Sequence, residues 1–302
     1  MRELAPVVLF VYNRPWHTQQ TIEALQKNEL ASESELFIYS DAPKNDEAKG
    51  LVKEVRGLVK SITGLKKVTV IERDKNWGLA DSIIDGVTTI VNQYGKVIIL
   101  EDDIVTSSYF LRYMNDALNF YQEQEKVMHI SGWNYPVNTS DLPETVFLRG
   151  TSCWGWATWN RAWQYFEKDP KKLLKAFSKL DRYKFDYDGS AGMWSQVIGN
   201  LTGKLNTWAI FWYATVFKME GLCLHPSKSL VENIGHDGSG EHCGESDMYK
   251  SVLCDKPVVV FSDDLVENAV AMSRIRSFLL SNRKGLFERV VKRLFSVIGC
   301  TR

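Results

Sequence analysis

Three consecutive carboxylates, Glu101-Asp102-Asp103, directly follow the apolar run Val97-Ile98-Ile99-Leu100. At the mouth of a hydrophobic strand their mutual repulsion has to be offset by positive charge. A divalent cation does this well, because carboxylate oxygens favour hard ions such as Mg2+ or Mn2+. The same ions bind diphosphate oxygens, so the triplet suits a reaction in which a nucleoside diphosphate departs, with the metal as Lewis acid. Acidic triplets also occur solvated in surface loops, and the elements around this one decide between the two.

Short apolar runs at residues 7–11, 36–40, 67–71 and 97–100 have the length and composition of buried parallel strands. Amphipathic stretches separate them. The clearest places Leu79, Ile83, Val87, Ile90 and Val91 at helical spacing and closes at Tyr94-Gly95. Repeated strand-helix-strand units predict an α/β fold: a mostly parallel sheet with helices on both faces. In such sheets ligands collect at the carboxyl ends of the strands. Asn13-Arg14-Pro15, Asp41-Ala42-Pro43, Arg73 and the acidic triplet occupy those ends, so four polar loops are expected to converge on one edge. A helix over 109–122 and a strand over 127–130 follow. Residues 131–190 turn irregular and aromatic, which suits a substrate-binding elaboration rather than more sheet, and two further helices are predicted within 193–220.

The run from Val97 to Asp103 resembles the metal-binding acidic motif of GT-A glycosyltransferases, in the form found in the N-acetylglucosaminyltransferase I-like group and its bacterial relatives. Phe10-Val11-Tyr12-Asn13-Arg14-Pro15, Tyr39-Ser40-Asp41, Asn76-Trp77-Gly78-Leu79-Ala80 and Gly155-Trp156-Ala157-Thr158 are similar in the same order. The resemblance implies a Rossmann-like GT-A domain over residues 1–268, with a nucleotide-sugar-binding half at 1–130 and an acceptor-binding half at 131–268. It further implies that Asp103 is the direct metal ligand and that Glu101 and Asp102 accept hydrogen bonds from ribose or sugar hydroxyls. Arg14 and Asp41 would hold the base or phosphates, and Arg73 and Asn76 would line the nucleotide pocket.

The same resemblance makes residues 151–163 the acceptor floor, with Trp154 and Trp156 as acceptor-binding residues. Inverting transfer needs a carboxylate base beside the acceptor hydroxyl. Eukaryotic members carry an acidic pair before a Trp where this chain reads Asn206-Thr207-Trp208, which leaves Asp188, Glu232 and Asp237 as candidate bases. The glycine-rich run 232–246 is expected to be a loop that closes over substrate, with His236 or His242 as an additional metal or diphosphate contact. Its His and Cys spacing does not suit a zinc site.

Lys plus Arg equals Asp plus Glu at 37 each among 302 residues, so no excess positive field speaks for nucleic-acid binding. Five cysteines without CxxC spacing point to a reducing compartment. The N-terminal apolar run is too short for a membrane span and lacks the marks of a signal peptide, so the expected location is cytoplasmic. Residues 269–302 read as a tail. From Arg274 onward it has eight Lys or Arg against Glu288 alone, with Leu286, Phe287, Val290, Val291, Leu294, Phe295 and Ile298 along one helical face. A basic amphipathic helix of this kind fits the cytoplasmic face of a membrane.

Together these features predict transfer of a sugar from a nucleotide diphosphate sugar, with UDP as the expected nucleotide. The acceptor would be a glycan or polyprenyl-linked glycan of a bacterial surface polysaccharide. The competing expectations are a non-catalytic carbohydrate-binding protein, motivated by the tryptophans and the missing base, and a sugar nucleotidyltransferase.

Overall fold

The computed structural model describes residues 3–238 and 247–298, with 284–298 as backbone alone. In chain order the strands are β1 (Val7–Val11), β2 (Glu35–Ser40), β3 (Lys67–Glu72), β4 (Lys96–Glu101), β5 (Ile104–Thr106), β6 (Val127–Ser131), β7 (Thr145–Leu148), β8 (Trp156–Trp159), β9 (Leu222–Pro226) and β10 (Val231–Asn233). The helices are α1 (Pro15–Gln26), α2 (Ala48–Lys60), α3 (Leu79–Tyr94), α4 (Phe110–Phe120), α5 (Asn160–Trp163), α6 (Pro170–Ala176), α7 (Lys179–Phe185), α8 (Trp194–Leu201), α9 (Ala209–Lys218) and α10 (Ala269–Ile298). The four leading strands, the 109–122 helix, the 127–130 strand and the helix pair within 193–220 all form within a few residues of their predicted bounds.

An eight-stranded sheet in the order β3-β2-β1-β4-β8-β6-β9-β7 organises the molecule. β1 is parallel to both β2 and β4, and β6 to β9, while β8 and β7 run against their neighbours. The sheet is therefore mixed but mostly parallel. Strand alternation sends Val7, Leu9 and Val11 of β1 to one face, where they pack with Ile22 and Leu25 of α1, Val55 and Val59 of α2, and the apolar side of α4. Val8 and Phe10 point to the other face, against Ile83, Val87 and Ile90 of α3 and Trp212 of α9. Both faces are covered, which is why these strands are apolar throughout rather than alternating.

Residues 131–190 depart from expectation. They contribute β7 and β8 to the sheet, and β8 sits in its middle, antiparallel between β4 and β6. Trp156, Trp159 and Trp163 are 0–3% exposed and pack in the core. Trp156 stacks on His129 at 5.3 Å and on Trp208 at 5.3 Å. Assigning Trp156 to acceptor binding is corrected on this ground, because a fully buried indole has no face left for a sugar.

A third apolar cluster joins Val146 and Leu148 of β7, Phe211 and Ala214 of α9, and Ala271, Met272, Ile275 and Leu279 of α10. The start of the expected tail is thus docked on the body. Arg274 pairs with Asp141 at 2.6 and 2.8 Å, and Arg276 with Asp188 at 3.3 Å, so both arginines are paired with acids of the body. The apolar residues from Leu286 onward, on which the amphipathic expectation rests, have side chains outside the described residues. Among the described residues no helix is long and apolar enough to cross a membrane.

Candidate active site

The strand order reverses between β1 and β4, and the loops leaving the carboxyl ends of those two strands bound the crevice where open α/β sheets bind ligands. β4 ends at Glu101, so the triplet stands at that point. β1 leads through Tyr12 and Asn13 to Arg14, which caps the N-terminus of α1, with Pro15 in the first turn. The Arg14 Nη1 donates to Asp103 Oδ2 at 2.8 Å and lies 3.5 Å from Asp102 Oδ1. The main chain of the triplet is fixed from both sides. Thr21 Oγ1 donates to the Asp102 carbonyl at 2.9 Å, and the Ile234 amide to the Asp103 carbonyl at 2.9 Å.

That second bond comes from a two-stranded ribbon in which β10 pairs antiparallel with β5, Asn233 opposite Ile104. The ribbon brings residues 234–238 onto the triplet. A Cβ at Gly235 would overlap Asp103 Oδ2 and sit 2.9 Å from Arg14 Nη2, so close approach requires glycine there. Asp237 Oδ2 is 3.0 Å from His17 Nε2, and its Oδ1 is 3.9 Å from Arg14 Nη2. Facing a carboxylate, His17 Nε2 carries the proton. His17 has no counterpart among the expected site residues, although it lies one helical turn after Arg14, a spacing that places both on one face.

The carboxylates of Asp102 and Asp103 are about 85% buried, at 14% and 15% side-chain exposure. Burial, reinforced by Asp103 and only partly offset by Arg14, pushes Asp102 up to about 7. Glu101 is raised well above the ordinary carboxylate range, first by burial and then by its two acidic neighbours. Burial opposes the charge on Arg14, yet Asp102, Asp103 and Asp237 outweigh it and hold the guanidinium more firmly protonated than usual. Burial and the charge of Arg14 keep His17 below the usual imidazole range. One arginine thus serves the whole triplet, of which burial has made Glu101 and Asp102 costly to ionise. The cluster lacks positive charge.

A divalent cation would supply it, and the donor set fits. Among the described residues no group of three His, Cys, Asp or Glu side chains stands ready to hold a metal. Mg2+ and Mn2+, however, need only one or two carboxylates when diphosphate oxygens and water complete the shell. His236 has a buried Nε2 without a hydrogen-bond partner among the described residues, its ring edge-on to Trp154 at 5.2 Å and tilted against Tyr249 at 6.1 Å. His242 lies outside the described residues. Trp154 also meets Trp133 at 4.7 Å and Tyr249 at 5.8 Å, and it remains partly exposed.

The other expected residues are placed as follows. Asp41 is 6% exposed, and its carboxylate accepts from the amides of Ala42, Trp77 and Gly78 and from Asn76 Nδ2, at 2.8–3.1 Å. Asn76 Nδ2 also donates to the Ala42 carbonyl at 2.7 Å. Both residues build the wall between β2 and α3, and the expectation that Asp41 offers its oxygens to a ligand meets the fact that four N–H groups already use them. Arg73 lies over the rings of Trp77 at 4.0 Å and Tyr39 at 4.9 Å, and its guanidinium pairs with Asp85. It stiffens the same wall. Asp188 is engaged by Arg149 at 3.2 Å and Arg276 at 3.3 Å, in the left-handed turn that follows α7. The structure does not bring it to the triplet, which corrects its candidacy as base. Glu232 lies in β10 opposite Val105, and alternation points it away from the core side that Val231 occupies. Two cavities of about 550 Å3 are lined by other residues, one by Lys96, Asn119 and Arg161, the other by Arg149, Phe177 and Glu267. The triplet itself is covered by Arg14 and the 234–238 segment.

No protein-family profile and no curated protein matches the chain. Among solved structures it is similar to S. aureus TarS residues 1–349 in complex with UDP-GlcNAc, at 16% identity over 42% of this chain and 33% of that one, with a TM-score of 0.31. It is also similar to S. aureus TarS at 18% identity, over 47% of this chain and 24% of that one, with a TM-score of 0.32. The mannosyltransferase PcManGT from Pyrobaculum calidifontis, in complex with GDP-Man and Mn2+, is 10% identical over 73% of this chain and 70% of that one, with a TM-score of 0.38. The chain spans between a quarter and a third of the length of the first two chains it matches. These are distant likenesses, and the chemistry of this chain is read from its own side chains.

Proposed function

We propose that the protein is a metal-dependent glycosyltransferase that moves a sugar from a nucleotide diphosphate sugar, a UDP-sugar, to a hydroxyl of a glycan or lipid-linked glycan with inversion. The observation that carries this is a buried acidic triplet, short of positive charge, at the point where β1 and β4 part. Asp103 would hold Mn2+ or Mg2+, with His236 as a further contact. When bound, the metal supplies Lewis-acid stabilisation of the departing diphosphate.

The residues of this chain have separable tasks in that reaction. Arg14, with two nitrogens uncommitted to hydrogen bonds among the described residues, orients the diphosphate. The Asp41-Asn76-Trp77-Arg73 wall holds its shape beside β2 so that the nucleotide meets a preformed surface. Trp154 offers a partly exposed ring to the acceptor. Of the carboxylates proposed to take the acceptor proton, Asp237 stands beside Arg14 and Glu232 on the ribbon that carries it. A place at the cytoplasmic face of the membrane, in the building of a bacterial surface polysaccharide, belongs to the same proposal and rests on the basic C-terminal sequence.

A donor panel tests the reaction: UDP release from UDP-sugars with and without Mn2+, in wild type and Asp103→Asn. Turnover with at least one donor, dependent on Mn2+ and lost in the variant, is expected. Pyrophosphate release in place of UDP would identify a nucleotidyltransferase. A second reading, a carbohydrate-binding protein without catalysis, is favoured by the ring cluster of Trp133, Trp154 and Tyr249. In calorimetry it would show as sugar binding that needs neither nucleotide nor metal.

A further inference from the structure

Arg14 lies at the centre of the acidic cluster. Its guanidinium touches Asp103 at 2.8 Å and Asp102 at 3.5 Å, and it lies 3.9 Å from Asp237 on the ribbon loop. The guanidinium is 14% exposed, and Nε and Nη2 make no hydrogen bond among the described residues. A side chain that buried, with two donors unspent, gives up more of its hydrogen-bonding capacity than a settled structural arginine does. Its resting position is fixed by charge rather than by a complete set of bonds. Asp237, on the far side, is itself oriented by His17 at 3.0 Å, and Gly235 leaves the space through which Nη2 faces the loop.

We infer that Arg14 is a resident counter-ion of the triplet that a divalent cation must displace, and that the negative groups of a nucleoside diphosphate draw it away. The inference rests on the reading of the site as a metal and nucleotide site, and extends it. Arg14 opposes the cation when the cation arrives alone, since like charges would then crowd the same oxygens. With a diphosphate present, the same guanidinium leaves Asp103 for phosphate oxygens, toward which its two unspent donors can turn. Metal and nucleotide then bind with positive coupling, each raising the affinity for the other by the same factor. Asp237 and His17 form the station that keeps Arg14 within reach once it has left the triplet.

Mn2+ binding, followed by the free-ion electron paramagnetic resonance signal, tests this without any turnover. Wild type, Arg14→Gln and Arg14→Lys are titrated with Mn2+ alone and then with UDP added, thermal unfolding reporting on folding in each case. Arg14→Gln should bind Mn2+ alone roughly ten-fold more tightly than wild type, because the competing charge is gone. It should also bind UDP in the presence of Mn2+ more weakly, so the two effects have opposite sign. Arg14→Lys keeps the charge and should leave binding of Mn2+ alone weak, which separates competition from a change in folding. Adding Asp103→Asn to Arg14→Gln should abolish the gain. Equal or weaker binding of Mn2+ alone by a folded Arg14→Gln overturns the inference. Absence of UDP binding to wild type at any Mn2+ concentration overturns the functional reading instead, and leaves the comparison with Mn2+ alone to decide the role of Arg14. Should Arg14→Gln not fold, Arg14→Lys binding Mn2+ alone as tightly as UDP-saturated wild type would equally refute competition by charge.

Discussion

Gly235 shows how a single atom limits the site. No side chain fits between the ribbon loop and Asp103, since even a methyl group would overlap the carboxylate oxygen. Gly235→Ala must therefore push the loop off the triplet or turn Asp103 away. A fold held by an eight-stranded sheet should survive that local shift. Binding of UDP with Mn2+ should fall by roughly ten-fold or more, since displacements of about 1 Å at a reacting site carry costs of that order, while the unfolding midpoint moves little. His129 gives a second prediction at this scale. It is fully buried on β6, donating from Nε2 to the Ser152 carbonyl and accepting from Trp212 Nε1–H at Nδ1, both at 3.0 Å. Burial, aided by His225, depresses it to about 3. Protonation at Nδ1 would break the bond from Trp212. Because the folded value lies below the unfolded one of about 6.5, the unfolded chain takes up this proton first as pH falls. The stability that His129 confers is complete above pH 6.5 and declines as pH drops toward 3, by about 1.4 kcal/mol per unit across that window. Urea unfolding of wild type and His129→Gln at pH 7, 6, 5 and 4 should show the difference between the two narrowing with acid. A constant difference would count against this assignment.

Among the elements, the wall between β2 and α3 depends on one carboxylate. Asp41 gathers the Ala42, Trp77 and Gly78 amides and the Asn76 side chain, and so sets the path by which β3 turns into α3. Asp41→Ala leaves the Ala42, Trp77 and Gly78 amides without that acceptor in a part-buried place, while Asn76 keeps the Ala42 carbonyl, and a loss of about 3 kcal/mol is expected, with Asp41→Asn intermediate because one oxygen remains. Chemical denaturation measures this directly, and a destabilised but saturable UDP site would distinguish wall-building from ligand contact. The same elements show what the sequence revealed. Val7–Val11, Leu79–Tyr94 and the acidic triplet at the end of β4 were legible because their signals are local: apolar runs, helical spacing and three adjacent charges. β8 was not. Its four residues, Trp-Ala-Thr-Trp, lie between β4 and β6, partners about 60 and 30 residues earlier in the chain by register. A tryptophan offers a ring to a sugar or to a core with the same composition, and the strand's position decides between them. Asp188 is not near the triplet for a related reason: its partners Arg149 and Arg276 become visible only once the chain has folded. His17 was within reach of a helical-spacing argument from Arg14, but Asp237, which gives it meaning, is 220 residues away.

At the scale of the whole molecule, the proposed membrane role of the C-terminal segment has to be separated from the structural role of α10. Its first half is part of the body: Ala271, Met272, Ile275 and Leu279 are buried against β7 and α9, and Arg274 and Arg276 are neutralised by Asp141 and Asp188. Burying side chains the size of Met272, Ile275 and Leu279 stabilises by about 1.5–3 kcal/mol each, so a chain ending at residue 268 should be strongly destabilised or unfold. The proposed membrane attachment must then come from residues 284–302, whose five basic residues, Lys284, Arg289, Lys292, Arg293 and Arg302, stand against Glu288 alone. Two truncations separate these tasks. A chain ending at Arg283 should keep the unfolding midpoint and the Mn2+-dependent UDP affinity of the full chain, yet lose sedimentation with vesicles containing anionic lipid, an attraction worth about 1 kcal/mol per basic residue near the surface. Because salt screens the attraction between those cations and anionic lipid, raising salt should weaken vesicle binding of the full chain. Equal sedimentation of both chains would remove the tail from any role at a membrane while leaving the triplet and its chemistry untouched.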